Sequence, residues 1–202
     1  MRRFDGKELL VATHNTGKLE EIANLLSDYG VKVVGAAQLN LAEPDETETT
    51  FVGNARIKAH AASRATGLPA LADDSGIEVD ALDGAPGVYT ADWAETETGR
   101  DFVMAMTKTY ERLVETKSEK PWLARFCCTL VLAWPDGHDE VFPGSIEGQI
   151  VWPMRGSEGH GYDPIFLPHG FTRTFGEMNR WEKNKISHRA DAFKKLVKGC
   201  FG

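Results

Sequence analysis

Residues 7–26 read KELLVATHNTGKLEEIANLL, and this stretch decides the fold class. Lys7 to Thr13 is a short apolar run bounded by polar residues, and Leu19, Ile22, Ala23 and Leu26 follow at helical spacing. The pattern predicts strand, tight loop, helix. Working outward, Val31–Val34 offers a second short strand, and Phe51, Ala55, Ala59 and Ala62 mark one face of a second helix, with the acidic loop Glu43–Thr50 (EPDETETT) between them. Leu71–Asp74 and Ile77–Leu82 read as a strand and its continuation, broken at Ser75-Gly76, and Gly84–Gly87 (GAPG) is turn chemistry. Phe102, Val103, Met106, Tyr110, Leu113 and Val114 predict a third helix. Ala124–Trp134 is a long apolar strand ending in a Pro-Asp-Gly turn, and Val141–Val151 is its hairpin partner. Ser187 is a candidate N-cap for a terminal helix whose Ala192, Phe193, Leu196 and Val197 face inward. This order of elements predicts an α/β fold with a mixed sheet, organised as a single domain over residues 1–202.

Composition agrees with an ordinary globular chain: 42% of the 202 residues are hydrophobic and 26% charged. Three cysteines, two of them the neighbours Cys127 and Cys128, make a secreted disulfide framework a poor fit and point to a reducing, cytoplasmic setting. The apolar stretch after Arg2 and Arg3 is only Leu9 to Ala12, too short for a signal peptide or a membrane anchor. A net charge of −7 argues against a nucleic-acid binder. The charge is unevenly spread, however. Residues 155–202 hold nine Lys and Arg against five Asp and Glu, a local +4 on an otherwise acidic body. Such a chain can hold a small polyanion through local cations and a metal.

Four segments carry candidate chemistry. Thr13–Lys18 (THNTGK) lies where strand gives way to helix, so free backbone N–H groups and the helix dipole can meet an anion there. A Walker loop would need glycine at Ala12 and a hydroxyl at Leu19, so this is a different phosphate turn or a plain one. Asp73-Asp74-Ser75-Gly76 follows an apolar strand, and neighbouring strand residues face opposite ways, so one carboxylate of the pair is expected in any one site. Read alone, the pair serves equally as turn former and cap. If Glu46 from the acidic loop folds over Asp74, the two supply hard oxygen ligands of the kind magnesium prefers. Arg155–Asp163 (RGSEGHGYD) is glycine-rich, letting backbone approach a flat ligand beside His160 and Tyr162. Glu182–Arg189 (EKNKISHR) puts His188 and Arg189 in a first helical turn, where cations oppose the dipole. An unfavourable placement of that sort is expected at functional sites.

THNTGK, TFVGNARIKA, LADDSGIEVDALDGAPGVYTA, RGSEGHGYDPIF, TFGEM and EKNKISHRADAF, in this order, resemble the successive motifs of the inosine triphosphate pyrophosphatase family, its bacterial dITP/XTP pyrophosphatases in particular. They span Val11 to Phe193, nearly the whole chain. The resemblance implies an elongated mixed sheet flanked by helices, two lobes with a central nucleotide-binding cleft, and a homodimer. It implies magnesium-dependent hydrolysis of deaminated purine nucleoside triphosphates such as dITP, ITP and XTP to monophosphate and pyrophosphate. A pyrophosphatase of the related Maf-like type, acting on pyrimidine or modified nucleotides, and a nucleotide sensor without hydrolysis are the alternatives. By the same resemblance Thr13, His14, Asn15, Thr16, Gly17 and Lys18 hold the triphosphate with Lys58, Asp74 is proton acceptor and metal contact, and Ser75 touches substrate. Glu46 aligns with an acidic metal position that Asp45 or Glu43 could also fill, while His160, Gly161, Tyr162, Asp163, Lys183, His188 and Arg189 match nucleotide-binding residues. Two positions depart from the family pattern: His160 stands where phenylalanine is usual, and Gly53 where glutamate is frequent.

Overall fold

The computed structural model describes residues 1–14 and 16–202. The opening segment forms as its pattern predicts: strand β1 (Glu8–Val11), then helix α1 (Thr16–Leu26). Strand β2 (Lys32–Gly35), helix α2 (Phe51–Thr66) and strand β3 (Ala70–Val79) follow. A small hairpin of β4 (Glu95–Thr96) and β5 (Gly99–Arg100) precedes helix α3 (Phe102–Thr116). Strands β6 (Trp122–Ala133) and β7 (Asp139–Ile150) form the long hairpin, and β8 (Phe166–Pro168) leads to helices α4 (Arg180–Ile186) and α5 (His188–Leu196). The six-stranded sheet has the order β2-β1-β3-β6-β7-β8. It is mixed: β1 runs parallel to β2 and β3, with Leu9 opposite Val33 and Val11 opposite Leu71, whereas β7 and β8 are antiparallel. No helix among the described residues is long and apolar enough to cross a membrane.

Three expectations change. β3 runs without a break through Ser75-Gly76, because Ile77 and Val79 beyond them are fully buried and keep the chain extended. Helix α3 forms, but Val103 and Val114 are 59% and 52% exposed, and the inward stripe is Ala105, Met106, Thr109 and Leu113. Helix α4 is an addition: Lys183 lies inside it rather than in a loop before a cap.

By density of contact the residues fall into two compact units. The first comprises Met1–Asp74, Thr129–Pro143 and Ala192–Gly202, the second Ser75–Cys128 and Gly144–Asp191. In the first, the inner face of α2 is built of alanine. Ala55 and Ala59 pack on Ala72, Val131 and Ala133, and Ala62 packs on Leu10 and Ala70. Such small side chains let the helix lie close to β3, and Asn54 and Lys58, one turn apart on the same face, are buried with them. The core of the second unit is aromatic, with Phe126, Phe166, Phe175 and Tyr162 around Ile77, Val79 and Leu113. Phe126 meets Phe166 edge-on at 4.7 Å, a preferred ring geometry.

Candidate active site

The parallel register of β1 and β3 explains why two distant motifs meet in the first unit. Past Val11 and Leu71 the chain leaves β1 for α1, whose first turn holds Thr16, Gly17 and Lys18, while β3 continues into Asp73 and Asp74. The turn into α1 thus leaves the carboxyl end of β1, a usual place for ligand sites in α/β sheets, and lies beside the middle of the neighbouring parallel strand β3. Lys18 Nζ reaches both carboxylate oxygens of Asp73, at 3.1 and 2.8 Å. Asp74 goes elsewhere, as strand alternation requires. Its Oδ1 faces Lys58 Nζ at 3.7 Å, and its Oδ2 accepts from Asn54 Nδ2 at 3.2 Å. Lys58 Nζ also donates to Glu46 Oε1 at 2.8 Å, so the acidic loop does fold over this cluster.

Burial gives the cluster its chemistry. Asp73, Asp74 and Lys58 are each less than a tenth exposed. Burial raises the carboxyl pKa of Asp74 to about 6; Lys58 and the Asn54 amide pull it down, and Glu46 and Asp73 push it up. Burial alone would lower Lys58, but the carboxylates of Asp73, Asp74 and Glu46 outweigh it and leave the ammonium raised and charged. The result is a carboxylate basic enough to take a proton from water yet largely ionised at neutral pH, beside a fixed cation. His14 and Lys58 also line a mostly apolar cavity of about 190 Å³ with Ala12, Leu41, Pro44 and Ala62. Asn15, expected in the phosphate segment, lies outside the described residues.

The second unit gathers most of the expected nucleotide-reading residues. The glycine-rich loop is shaped by contacts only glycine allows: at Gly159, φ is +79° and a Cβ would fall 2.0 Å from Asp163 Oδ2. That oxygen accepts from the His160 backbone N–H at 2.7 Å and from Lys183 Nζ. Asp163 is 1% exposed, so its carboxylate is turned toward its own loop and toward Lys183. Tyr162 is equally buried and edge-on to Phe102, and burial pushes its phenol up to about 12, keeping it neutral. His160 is the exposed aromatic of this motif, 5.0 Å from Phe102. Lys183 Nζ stands 5.2 Å over the Phe175 ring, which brings TFGEM into contact with the same group. Ser187 caps α5 through Oγ, accepting from Ala190 N at 3.2 Å. His188, in that first turn, stacks on Phe126 at 5.0 Å and 15°, and Arg189 beside it is half-buried. Ser75, on β3, also belongs to this unit.

Sequence reading passed over Asn54 as a site residue, although TFVGNARIKA places it four residues before Lys58 and hence on the same helix face. It also passed over α4, whose signal was a capping box: Asn179 accepts from Trp181 N and Glu182 N, while Glu182 Oε2 accepts from Asn179 N.

Comparison with known proteins bears on all of this. The sequence profile of the Ham1 family matches residues 9–199. A dITP/XTP pyrophosphatase of Ruegeria pomeroyi is 71% identical over 201 residues, covering 100% of this chain and 98% of that protein. One from Agrobacterium fabrum is 55% identical over 211 residues, covering 99% of each. Among solved structures, a HAM1 protein from Coxiella burnetii superposes with a TM-score of 0.90 at 36% identity, over 96% of this chain and 98% of that one.

Proposed function

This chain belongs to the Ham1 family, and from that premise we propose that it hydrolyses deaminated purine nucleoside triphosphates, dITP, ITP and XTP, to the monophosphate and pyrophosphate. The observation that carries the reading is the buried cluster of Asp74, Lys58 and Asn54, reached from the surface by the exposed Glu46, beside the Lys18–Asp73 pair. In the reaction, water attacks the α-phosphorus, the bond to the bridging oxygen breaks, and pyrophosphate leaves. Asp74 orients that water and takes its proton, and a base with a pKa near 6 suits this work at neutral pH. Lys18 and Lys58 stabilise the negative charge on the phosphate oxygens.

The residues also fit a magnesium ion. Asp74 and Glu46 are hard oxygen donors converging on one cation, the Lys58 ammonium, at 3.7 and 2.8 Å. Magnesium commonly takes one or two carboxylates and completes its shell with phosphate oxygens and water. A cation there would also relieve the buried charge of Asp74. When bound, magnesium supplies Lewis-acid stabilisation of the phosphate oxygens. We assign the enzyme to the cytoplasm as a homodimer acting on small nucleotides rather than nucleic acid; Cys127, Cys128 and Cys200, none of them in a disulfide, and the acidic balance support the setting and substrate class.

Base choice is assigned to the second unit. Inosine and xanthosine carry a 6-oxo acceptor where adenosine has a 6-amino donor, and Arg189 offers only donors. A site built this way can refuse adenine by roughly 10⁴- to 10⁵-fold. The test is a panel of purine and pyrimidine triphosphates with pyrophosphate detection, run on the parent chain and on Arg189→Ala. Loss of a charged hydrogen bond should lower efficiency on dITP by roughly 10- to 100-fold and on dATP far less, narrowing their ratio. Equal proportional losses would remove Arg189 from base recognition, and a preference for pyrimidines would overturn the substrate assignment.

A further inference from the structure

The geometry points to Asn54, with Gly53 beside it, as the positioning pair that docks the acidic segment 46–48 and aims Asp74; the inference rests on the proposed hydrolysis and extends it. The Asn54 side chain is 3% exposed and is used at both ends. Its Oδ1 accepts from the Glu48 backbone N–H at 3.0 Å, and its Nδ2 donates to Asp74 Oδ2 at 3.2 Å. A backbone N–H can only donate and an ionised carboxylate can only accept, so the two partners together admit one orientation of the amide. One turn later on α2, Lys58 holds the Glu46 side chain at 2.8 Å. The helix therefore grips segment 46–48 at two points, by backbone and by side chain, and the first grip is also what holds one oxygen of Asp74.

Gly53 makes the first grip possible. A Cβ there would lie 2.6 Å from Glu48 Cβ, 2.7 Å from Glu48 Cγ and 3.0 Å from Thr50 Oγ1. Any side chain at 53 would push Glu48 away from Asn54. The glycine sits in the first turn of α2, two residues inside the helix, where its N–H donates to the capping Thr50 Oγ1 at 3.1 Å. Its φ is not in the left-handed region, so the backbone does not call for glycine, and helix propensity favours alanine by roughly 0.5–1 kcal/mol. A residue chosen against local propensity needs a tertiary reason. The approach of Glu48 is that reason.

Two variants separate the two functions of the pair. Gly53→Ala should keep the fold, its gain in helix propensity offsetting part of the lost Glu48–Asn54 bond, and release segment 46–48. NMR-monitored hydrogen exchange at the Glu48 amide should accelerate, and turnover on dITP should fall by roughly 10- to 100-fold, the scale of an ångström-sized misplacement, with KM much less changed. Adding Glu48→Gly removes both colliding atoms and should return turnover to that of Glu48→Gly alone. Asn54→Asp keeps the acceptor for Glu48 but sets carboxylate against carboxylate at Asp74, so turnover should fall while the Glu48 amide stays protected. Parent-like exchange and turnover in Gly53→Ala would overturn the inference, as would a failure of Glu48→Gly to rescue. Were the parent chain to release no pyrophosphate from any nucleotide, the proposed function would fail. The exchange comparison would still decide the docking.

Discussion

Asp74→Asn is expected to lose about 10²- to 10⁴-fold in turnover, the usual worth of a general base, and at the same time to melt higher than the parent chain when metal is absent. The two outcomes have one cause. Burial holds the Asp74 carboxyl near 6 in the folded chain against an ordinary 3.8. Because the folded value is the higher, the native state binds the proton more tightly, and stability is lost as pH rises between the two values. At pH 7.5 that loss is fully present, at most about 3 kcal/mol and about 1–2 kcal/mol once neighbouring charges adjust. The neutral amide escapes it, which corresponds to a rise of a few degrees in melting temperature for a chain of this length. Asp73→Asn is expected to cost less turnover, since Asp73 serves Lys18 rather than the reacting water. Pyrophosphate release and thermal melting in chelator measure both effects. If the two aspartate variants lost turnover alike, or Asp74→Asn melted lower, the role given to Asp74 would be wrong.

Removal of divalent metal is expected to abolish activity outright, and magnesium to restore it. Three carboxylates, Asp73, Asp74 and Glu46, face two lysines in the cluster, so a triphosphate arriving without a cation meets a site with no positive surplus. Calcium should restore little, because its larger and looser shell holds phosphate oxygens differently. Activity measured after exhaustive chelation and again across added magnesium, manganese and calcium decides the matter. Full turnover without metal would end the mechanism.

Much of this was legible in the chain because periodicity and charge are local signals. The alanine stripe of α2 and the strand-loop-helix at residues 7–26 could be read from spacing, Lys18, Glu46 and the Asp73-Asp74 pair stood out by charge, and Lys58 and the choice of Asp74 came through the family resemblance. What stayed hidden depends on partners distant in sequence. Asn54 carries no charge, and its role exists only through Glu48 and Asp74, six and twenty residues away. Helix α4 buries no residue, so no apolar stripe announced it, and only its capping box marked its start. Ser75-Gly76 looked like a turn because local propensity says so; burial of Ile77 and Val79 overrides that preference. Burial was hidden too: Tyr162 and Asp163, read as nucleotide contacts, are each 1% exposed, and Asp163 accepts from the His160 backbone N–H.

The pairing of Lys18 and Lys58 with carboxylates of the same cluster has a consequence for life among other anions. Lys18 rests on Asp73 and Lys58 on Glu46 and Asp74, so the cluster already contains its own counter-ions. A lone phosphate or sulfate, or the backbone of a nucleic acid, would have to break these pairs and leave buried carboxylates uncompensated, a costly exchange in a desolvated setting. A metal-bound triphosphate brings the compensating cation with it. On the proposed function, these pairs favour a ligand that can trade ion for ion over the abundant polyanions of a cell.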